Sequence, residues 1–133
     1  MKIVCDTNIL ISGVLFGGKP REILRLCSSG NVVNCISPDI LKEIEAVLLR
    51  PKFGLKEEQV YEIVRLFRDT FTLVSPDRRL SVVTADPDDN RILEAALAAD
   101  ADAIVSGDAH LLDLVNWNGT PVLSADTFLK KIT

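Results

Sequence analysis

Short apolar runs rich in β-branched residues alternate along this chain with segments of helical periodicity, and this alternation most restricts the fold. The runs predict strands at residues 2–5, 31–36, 71–74, 103–106 and 121–123. Strands that are separated by helices pair in parallel, and a parallel sheet is covered by helices on both faces. The pattern therefore predicts an α/β fold: a three-layer α/β/α sandwich around a mainly parallel sheet of four to five strands.

The length of the chain suits one domain. Its 133 residues, of which 47% are hydrophobic and 26% charged, are enough for one hydrophobic core but not for two. No repeat, low-complexity stretch or linker divides the sequence, so residues 1–133 are predicted to form a single domain. No apolar run approaches the roughly 18–20 residues of a membrane span, and no signal peptide is recognisable. We therefore expect a cytoplasmic protein without membrane association.

The numbers of histidines and cysteines limit which kinds of metal and catalytic site the chain can form. His110 is the only histidine, which excludes a zinc site built on several histidines and a catalytic triad built on any other one. Cys5, Cys27 and Cys35 form no C-x-x-C pair and are expected to be reduced and buried. Hydrolytic chemistry in this chain would therefore depend on carboxylates and an oxygen-preferring metal ion.

Several carboxylates follow predicted strands or begin predicted helices. Asp6 directly follows the first strand, and Asp108 follows the fourth after a glycine turn, where open α/β sheets bind ligands. Asp86, Asp88 and Asp89 stand at a helix start, where acids complement the helix dipole, and Asp86 is predicted to be the N-cap. Each acid alone fits an ordinary capping role. Their convergence at one sheet edge is what indicates a site.

One glutamate joins this group. Glu43 and Glu45 lie on the two flanks of the apolar stripe of the predicted helix 38–50, and periodicity does not choose between them. Like charges in one crevice repel unless a cation neutralises them, and Mg²⁺ and Mn²⁺ prefer oxygen ligands. The pattern therefore predicts a site for Mg²⁺ or Mn²⁺, with phosphodiester hydrolysis as the natural reaction.

The acidic balance of the chain does not exclude a nucleic acid as substrate. Fifteen Lys and Arg residues against 19 Asp and Glu residues give a net charge of −4, which the acids of a metal site would account for. The remaining basic residues are candidates to meet a phosphate backbone. They are Lys19, Arg21, Arg25, Arg50, Lys52, Lys56, Arg78, Arg79 and Arg91.

Four motifs occur in order along nearly the whole chain. They are Ile3-Val4-Cys5-Asp6-Thr7-Asn8, Ser37-Pro38-Asp39-Ile40-Leu41-Lys42-Glu43-Ile44, Asp86-Pro87-Asp88-Asp89-Asn90-Arg91-Ile92-Leu93 and Ile104-Val105-Ser106-Gly107-Asp108. Together they resemble the PIN-domain family, and most closely its small prokaryotic members, the VapC-like toxins of toxin–antitoxin pairs. The resemblance implies a Mg²⁺- or Mn²⁺-dependent endoribonuclease that cleaves single-stranded or structured RNA. It also implies a homodimer and a cognate antitoxin protein as partner.

The resemblance further implies which residues bind the metal: Asp6, Glu43, one acid of the pair Asp88 and Asp89, and Asp108. The spacing usual in VapC-like toxins, counted back from Asp108, reaches Asn90, where that subgroup has an aspartate. We assign the third ligand to Asp89, the nearest carboxylate. Asp88 and Asn90 remain the competing choices.

Three polar neighbours of these acids are accessory candidates. Thr7 and Ser106 carry hydroxyls that can orient a carboxylate or its water. Asn8 stands two residues after Asp6, and a phosphohydrolase that uses Asp6 as its nucleophile commonly has a second acid there. That phosphohydrolase is one alternative function. The other is a non-catalytic interaction module whose acids only cap helices.

One helical stripe bears on assembly. Val60, Ile63, Val64 and Phe67 recur at helical spacing between residues 53 and 70. Such a stripe either exceeds what one small core buries, and then favours a homodimer, or packs entirely inside the monomer. The sequence leaves both readings open.

Overall fold

The computed structural model describes residues 1–132, which contain six strands and seven helices. The strands are β1 (Lys2–Cys5), β2 (Val33–Ile36), β3 (Thr72–Leu73), β4 (Ala103–Val105), β5 (Asn116–Trp117) and β6 (Thr120–Leu123). The helices are α1 (Thr7–Leu15), α2 (Gly18–Ser28), α3 (Pro38–Leu48), α4 (Glu57–Thr70), α5 (Asp89–Ala99), α6 (Ala109–Leu112) and α7 (Ala125–Ile132), with a 3₁₀ turn at Pro51–Phe53. The predicted domain 1–133 includes Thr133, which lies outside the described residues.

The strands form one sheet in the order β3-β2-β1-β4-β6-β5. All neighbours pair in parallel except β5 and β6, which are antiparallel. The predicted α/β architecture with a mainly parallel sheet is confirmed, but the sheet has one strand more than the upper end of the predicted range. The additional strand is the two-residue β5, which is too short to show a periodicity. It is joined to β6 by a tight turn in which Asn118 and Gly119 both have positive φ, at 52° and 85°.

The order of the strands shows where the connections change the direction in which they cross the sheet. The connections from β1 to β2 and from β2 to β3 move one way across the sheet, and those from β3 to β4 and from β4 to β6 move the other way. With right-handed crossovers, α1 to α4 then cover one face of the sheet, and α5 and α6 cover the other. The connections on the two sides of the β1–β4 pair run in opposite directions across the sheet. In open α/β sheets, ligands bind at such a switch point, in the crevice outside the carboxyl ends of the strands.

The core lies on the central strands and the helices beside them. Ile3 and Val4 of β1 and Ile104 and Val105 of β4 are fully buried. This matches the continuous apolar character of strands that are covered on both faces. All three cysteines are buried and free, as predicted. Within residues 1–132, no helix has both the length and the apolar character needed to cross a membrane.

The apolar stripe of α4 packs inside the monomer. Val60, Val64 and Phe67 are buried and belong to the core, and only Ile63 is partly exposed. α4 lies against α3, which supplies part of that core. The core of the monomer therefore uses most of this stripe itself. Of the two readings that the sequence left open, the structure supports packing within the monomer.

Candidate functional site

The carboxyl ends of β1 and β4, the first half of α3 and the start of α5 surround a cavity of about 30 Å³. Its wall consists of Asp6, Thr7, Asn8, Glu43, Asp86, Asp88, Asp89, Ile92 and Asp108. All four residues assigned as metal ligands are in this wall. Of the accessory candidates, Thr7, Asn8 and Asp88 also line it.

Asp6 is held by hydrogen bonds to both carboxylate oxygens. Its Oδ1 accepts from the backbone N–H of Ile9 at 2.9 Å, so the residue caps α1. Its Oδ2 accepts from the hydroxyl of Ser106. The side chain is 4% exposed, and burial raises the pKa of the carboxyl, although these hydrogen bonds oppose the shift.

Ser106 connects the ends of β1 and β4. Besides donating to Asp6, its Oγ accepts from the backbone N–H of Asp108 at 2.9 Å. The residue is fully buried. Its hydroxyl thus fixes the carboxylate of Asp6 relative to the backbone that carries Asp108, without itself lining the cavity.

Asp108 combines a capping role with a place in the cavity wall. One oxygen, Oδ1, accepts from the backbone N–H groups of His110 at 2.8 Å and Leu111 at 3.3 Å. A carboxylate has two acceptor oxygens, so capping α6 leaves the other available. The capping role that the sequence suggested is therefore present and does not compete with a role in the site.

Three acids come closest together. Asp86, Asp89 and Asp108 each place a carboxylate oxygen within 4.8 Å of the others. Asp89 is 8% exposed, and its Oδ2 is buried without a hydrogen-bond partner among residues 1–132. Burial, followed by the charges of Asp108 and Asp86, raises the pKa of Asp89 to about 7. A buried acceptor without a donor, facing other carboxylates, is the arrangement that a bound cation would satisfy.

Asp86 is not among the ligands predicted from the sequence. It accepts the backbone N–H of Asp88 at 3.1 Å and so caps the turn before α5. The predicted N-cap at Asp86 is wrong by two residues: Pro87 and Asp88 form a turn, and the N-cap of α5 is Asp88. The structure adds its place in the acid cluster. The signal in the sequence was its position at the head of the third motif, but a capping role alone explains an acid there.

The structure distinguishes Glu43 from Glu45. Glu43 faces the cavity, where burial and then the charge of Asp88 raise its pKa to about 7, while the hydroxyl of Thr7 lowers it. Glu45 lines a different surface pocket together with Lys42 and Arg68. The rotation of α3 that buries its apolar stripe therefore turns Glu43, not Glu45, toward the other acids.

Asn90 lies outside the cavity although it is next to Asp89. Its Nδ2 donates to the carbonyl of Val83 at 2.7 Å and to that of Pro87 at 3.2 Å, and its Oδ1 accepts the N–H of Val83 at 2.8 Å. The side chain is 3% exposed. Both ends of the amide thus hold the segment 74–88 against α5, and this residue is not aimed at the acid cluster.

A buried glutamate holds the same segment from the next turn of α5. Glu94 is 2% exposed, accepts the N–H of Leu80 at 2.8 Å, and forms ion pairs with Arg91 at 3.0 Å and Arg79 at 3.3 Å. Arg79 also pairs with Asp39 at 3.0 Å. Because Asp86 and Asp88 belong to this segment, these contacts help to position the acid cluster.

Several predicted phosphate-binding residues have other partners, which corrects the sequence-based list. Arg79 and Arg91 pair with Glu94. Arg21 donates to the carbonyls of Gly13 and Val14, and Lys19 pairs with Asp126. These contacts depend on tertiary structure, which the charge count did not include.

Arg50 and Lys52 remain beside the acids. They line a groove of about 780 Å³ that shares Asn8, Glu43, Asp86 and Asp88 with the small cavity. Within residues 1–132 neither forms an ion pair, and Lys52 Nζ lies 5.0 Å from the centroid of the Phe53 ring. The groove thus has an acidic end and a basic end.

Comparisons with known proteins agree with this architecture. A family model described as PIN domain matches residues 2–110. An uncharacterized protein of Methanocaldococcus jannaschii is 34% identical over 122 residues, which cover 89% of this chain and 77% of that protein.

Two solved structures have the same fold. One is VapBC2 from Rickettsia felis, bound to a DNA fragment from its promoter; the match has a TM-score of 0.66 and 16% identity and covers 93% of this chain and 98% of that one. The other is VapBC-1 from nontypeable Haemophilus influenzae, with a TM-score of 0.60 and 18% identity over 95% of this chain and 99% of that one.

Proposed function

The chain belongs to the PIN-domain family, and we propose that it is a Mg²⁺- or Mn²⁺-dependent endoribonuclease. The observation that carries the proposal is the convergence of carboxylates from four parts of the chain on one small cavity, where Asp89 Oδ2 has no hydrogen-bond partner among residues 1–132. Oxygen donors of this kind suit a hard divalent cation, and they leave little role for zinc or copper, which prefer nitrogen and sulfur.

Each acid has a role in the proposed mechanism. Asp6, Glu43, Asp89 and Asp108, which all line the small cavity, would hold the metal ion, and Asp86 would support them from its cluster with Asp89 and Asp108. A bound ion would activate a water and stabilise the charge that develops on the scissile phosphate. Ser106 keeps Asp6 in place, and the groove beside Glu43 and Asp86 receives the RNA.

Amide substitutions test the proposal directly. Asp6→Asn, Glu43→Gln, Asp89→Asn and Asp108→Asn should each reduce RNA cleavage at least ~10²-fold, because a lost ligand removes both the nucleophile and the charge stabilisation. Asp86→Asn, in the cluster with Asp89 and Asp108, should cost at least ~10-fold. Cleavage is measured at fixed Mg²⁺ or Mn²⁺ on single-stranded RNAs of several sequences.

Glu45→Gln is the matched control, since Glu45 lies on the same helix but in a different pocket. It should leave the rate within a few-fold. If all the amide variants cleave as well as the parent, or the parent cleaves RNA with neither metal, the nuclease proposal fails. If Asp88→Asn abolishes cleavage and Asp89→Asn does not, the third ligand is Asp88.

The two alternative functions are less well supported. A phosphohydrolase with Asp6 as its nucleophile commonly has a second acid two residues later, and Asn8 stands there. A module whose acids only cap helices does not account for the unpartnered Asp89 Oδ2. Hydrolysis of small phosphomonoesters without RNA cleavage would favour the phosphohydrolase.

A toxin role with a protein antitoxin is part of the proposal. Its support is the likeness to VapBC structures, which extends over at least 93% of this chain. Expression of the protein in a bacterial host should arrest growth, and Asp6→Asn should abolish the arrest. A small gene directly upstream that encodes a DNA-binding protein would identify the antitoxin. The homodimer and the cytoplasmic location stay predictions.

A further inference from the structure

The groove beside the acid cluster carries an inference about the substrate, which rests on the proposed nuclease function. We propose that Phe16 and Arg50 form a subsite for one unpaired nucleotide: the ring of Phe16 stacks on the base, and Arg50 binds an adjacent phosphate. The strand that this subsite accepts is single-stranded RNA.

The groove is built from elements on one side of the acids. The end of α1 contributes Leu15 and Phe16, and the end of α3 contributes Val47 and, just beyond it, Arg50. The 3₁₀ turn contributes Lys52 and Phe53. A volume of about 780 Å³ falls in the range of ligand-binding clefts. A strand bound there passes directly from these residues to Glu43 and Asp86.

Phe16 is unusual among the aromatic residues of the chain. It is 73% exposed, whereas Phe67, Phe71 and Phe128 are buried in the core. It follows the last turn of α1, and Gly17 and Gly18 after it have positive φ, so the chain turns away and leaves the ring uncovered. A single exposed aromatic is common on protein surfaces, but this one lies in the wall of a groove that leads to the acids.

The basic part of the groove, away from Glu43, Asp86 and Asp88, favours a polyanion over an apolar protein segment. Arg50 and Lys52 form no ion pair among residues 1–132, so the basic end is uncompensated within the described chain. The groove combines these two cations with the exposed ring of Phe16 and the half-buried ring of Phe53, and cations with accessible aromatic rings are the features that recognise single-stranded nucleic acid. Arg in particular offers a planar fork of donors to a phosphate.

The stacking contact selects against a duplex. In a double helix each base is stacked on its neighbours, so its face is not available to a protein side chain. An unpaired base can place its face on Phe16. The subsite therefore favours loops, ends and unpaired strands of RNA over base-paired stems.

Binding without cleavage tests the subsite. Fluorescence anisotropy of the full chain in EDTA, at low salt, is measured with a labelled single-stranded RNA of mixed sequence and with the same strand in a duplex. Phe16→Ala and Arg50→Ala should each weaken binding of the single strand at least ~5-fold. Phe16→Trp should retain it. Arg50→Ala should also lower the slope of log affinity against log salt by roughly 0.7.

Two matched controls lie on the exposed side of α4. Tyr61→Ala removes an exposed aromatic ring and Arg65→Ala removes an exposed cation, both outside the groove. They should change the affinity less than ~2-fold. Duplex binding should be weaker than single-strand binding and insensitive to Phe16→Ala.

The outcomes separate this proposal from the nuclease proposal. Unchanged single-strand affinity in Phe16→Ala and Arg50→Ala overturns the subsite and assigns the groove to another occupant such as a protein segment. Duplex affinity that falls as much as single-strand affinity in Phe16→Ala also overturns it. RNA binding that depends on both residues, in a protein that never cleaves RNA with either metal, supports the subsite and refutes the nuclease.

Discussion

At the scale of the residue, a carboxylate can serve the fold and a site at the same time. Asp6 and Asp108 each use one oxygen to cap a helix, and Asp86 caps a turn. A carboxylate has about four acceptor positions, so an oxygen that accepts one hydrogen bond, as Asp6 Oδ2 does from Ser106, can still bind a cation. Capping and metal binding are therefore compatible roles, and the common capping explanation of a helix-start acid does not exclude a site.

Ser106→Ala should impair the site more than the fold. The substitution removes the donor to Asp6 and the acceptor of the Asp108 N–H, which should cost about 1–3 kcal/mol of stability and lower cleavage roughly 10–100-fold. Ser124→Ala is the control, because Ser124 accepts the N–H of Thr127 at 3.1 Å at the start of α7. It should cost about 1 kcal/mol and leave cleavage within ~2-fold. Equal cleavage by the two variants would exclude a positioning role for Ser106.

The stability of the metal-free protein should fall as pH rises from about 4 to about 7. Burial and neighbouring carboxylates raise the pKa of Asp89 from 3.8, and that of Glu43 from 4.5, to about 7. The folded state therefore binds more protons than the unfolded state in this window, and deprotonation destabilises it. Asp89→Asn should flatten the slope and raise the free energy of unfolding at pH 8. Denaturant unfolding in EDTA at several pH values measures both effects, and stability that rises with pH across the window would contradict them.

At the scale of the element, the segment 74–88 and the start of α5 act together. On α5, Asn90 binds the backbone of Val83 and Glu94 binds that of Leu80. The segment that carries these two residues also carries Asp86 and Asp88. A long connection without regular structure normally has a function or is disordered. Here its buried hydrogen bonds fix it, so that acids on the loop and on the helix meet.

Exchanging the two residues at the start of α5 should not restore a site. In Asp89→Asn/Asn90→Asp the new carboxylate would stand where an amide donates to Val83 and Pro87, and it cannot donate to either carbonyl. The double variant should remain at least ~10²-fold less active than the parent, and Asn90→Asp alone should cost about 1–3 kcal/mol. RNA cleavage and thermal unfolding measure the two effects. Recovery of cleavage to within ~10-fold of the parent would place the third ligand at position 90.

At the scale of the whole molecule, the sheet brings the site together. β1 and β4 are neighbours in the sheet although they are far apart in sequence. The connections on the two sides of this pair cross the sheet in opposite directions. The helices that begin at their carboxyl ends cannot cover this point, because they lead away to opposite faces. The acids thus lie in a crevice that the topology leaves open.

Mg²⁺ or Mn²⁺ should stabilise the folded protein. A ligand that binds only the native state adds about 2.7 kcal/mol at a concentration 100 times its Kd, which for a domain of this size raises the melting temperature by roughly 10 °C. Asp6→Asn should lose most of this shift. Thermal unfolding of both proteins across a metal titration provides the test, and equal shifts would contradict a metal site at Asp6.

The sequence by itself determined the type and order of most elements, and it placed Asp6 and Asp108 at one edge of the sheet. These features depend on local patterns: periodicity, β-branched runs and residues that end a strand. The parallel sheet followed from the alternation of strands and helices. The short β5 escaped this reasoning because two residues carry no pattern.

Only the tertiary structure decided which of several equivalent residues reach the site. Glu43 faces the acids and Glu45 does not, because the burial of one stripe fixes the rotation of α3. Asp89 joins the cluster, while Asn90 holds the segment 74–88. Arg50 forms no ion pair within the described chain, while Arg79 is bound to Glu94. Each choice depends on partners distant in sequence, and local periodicity carries no information about them.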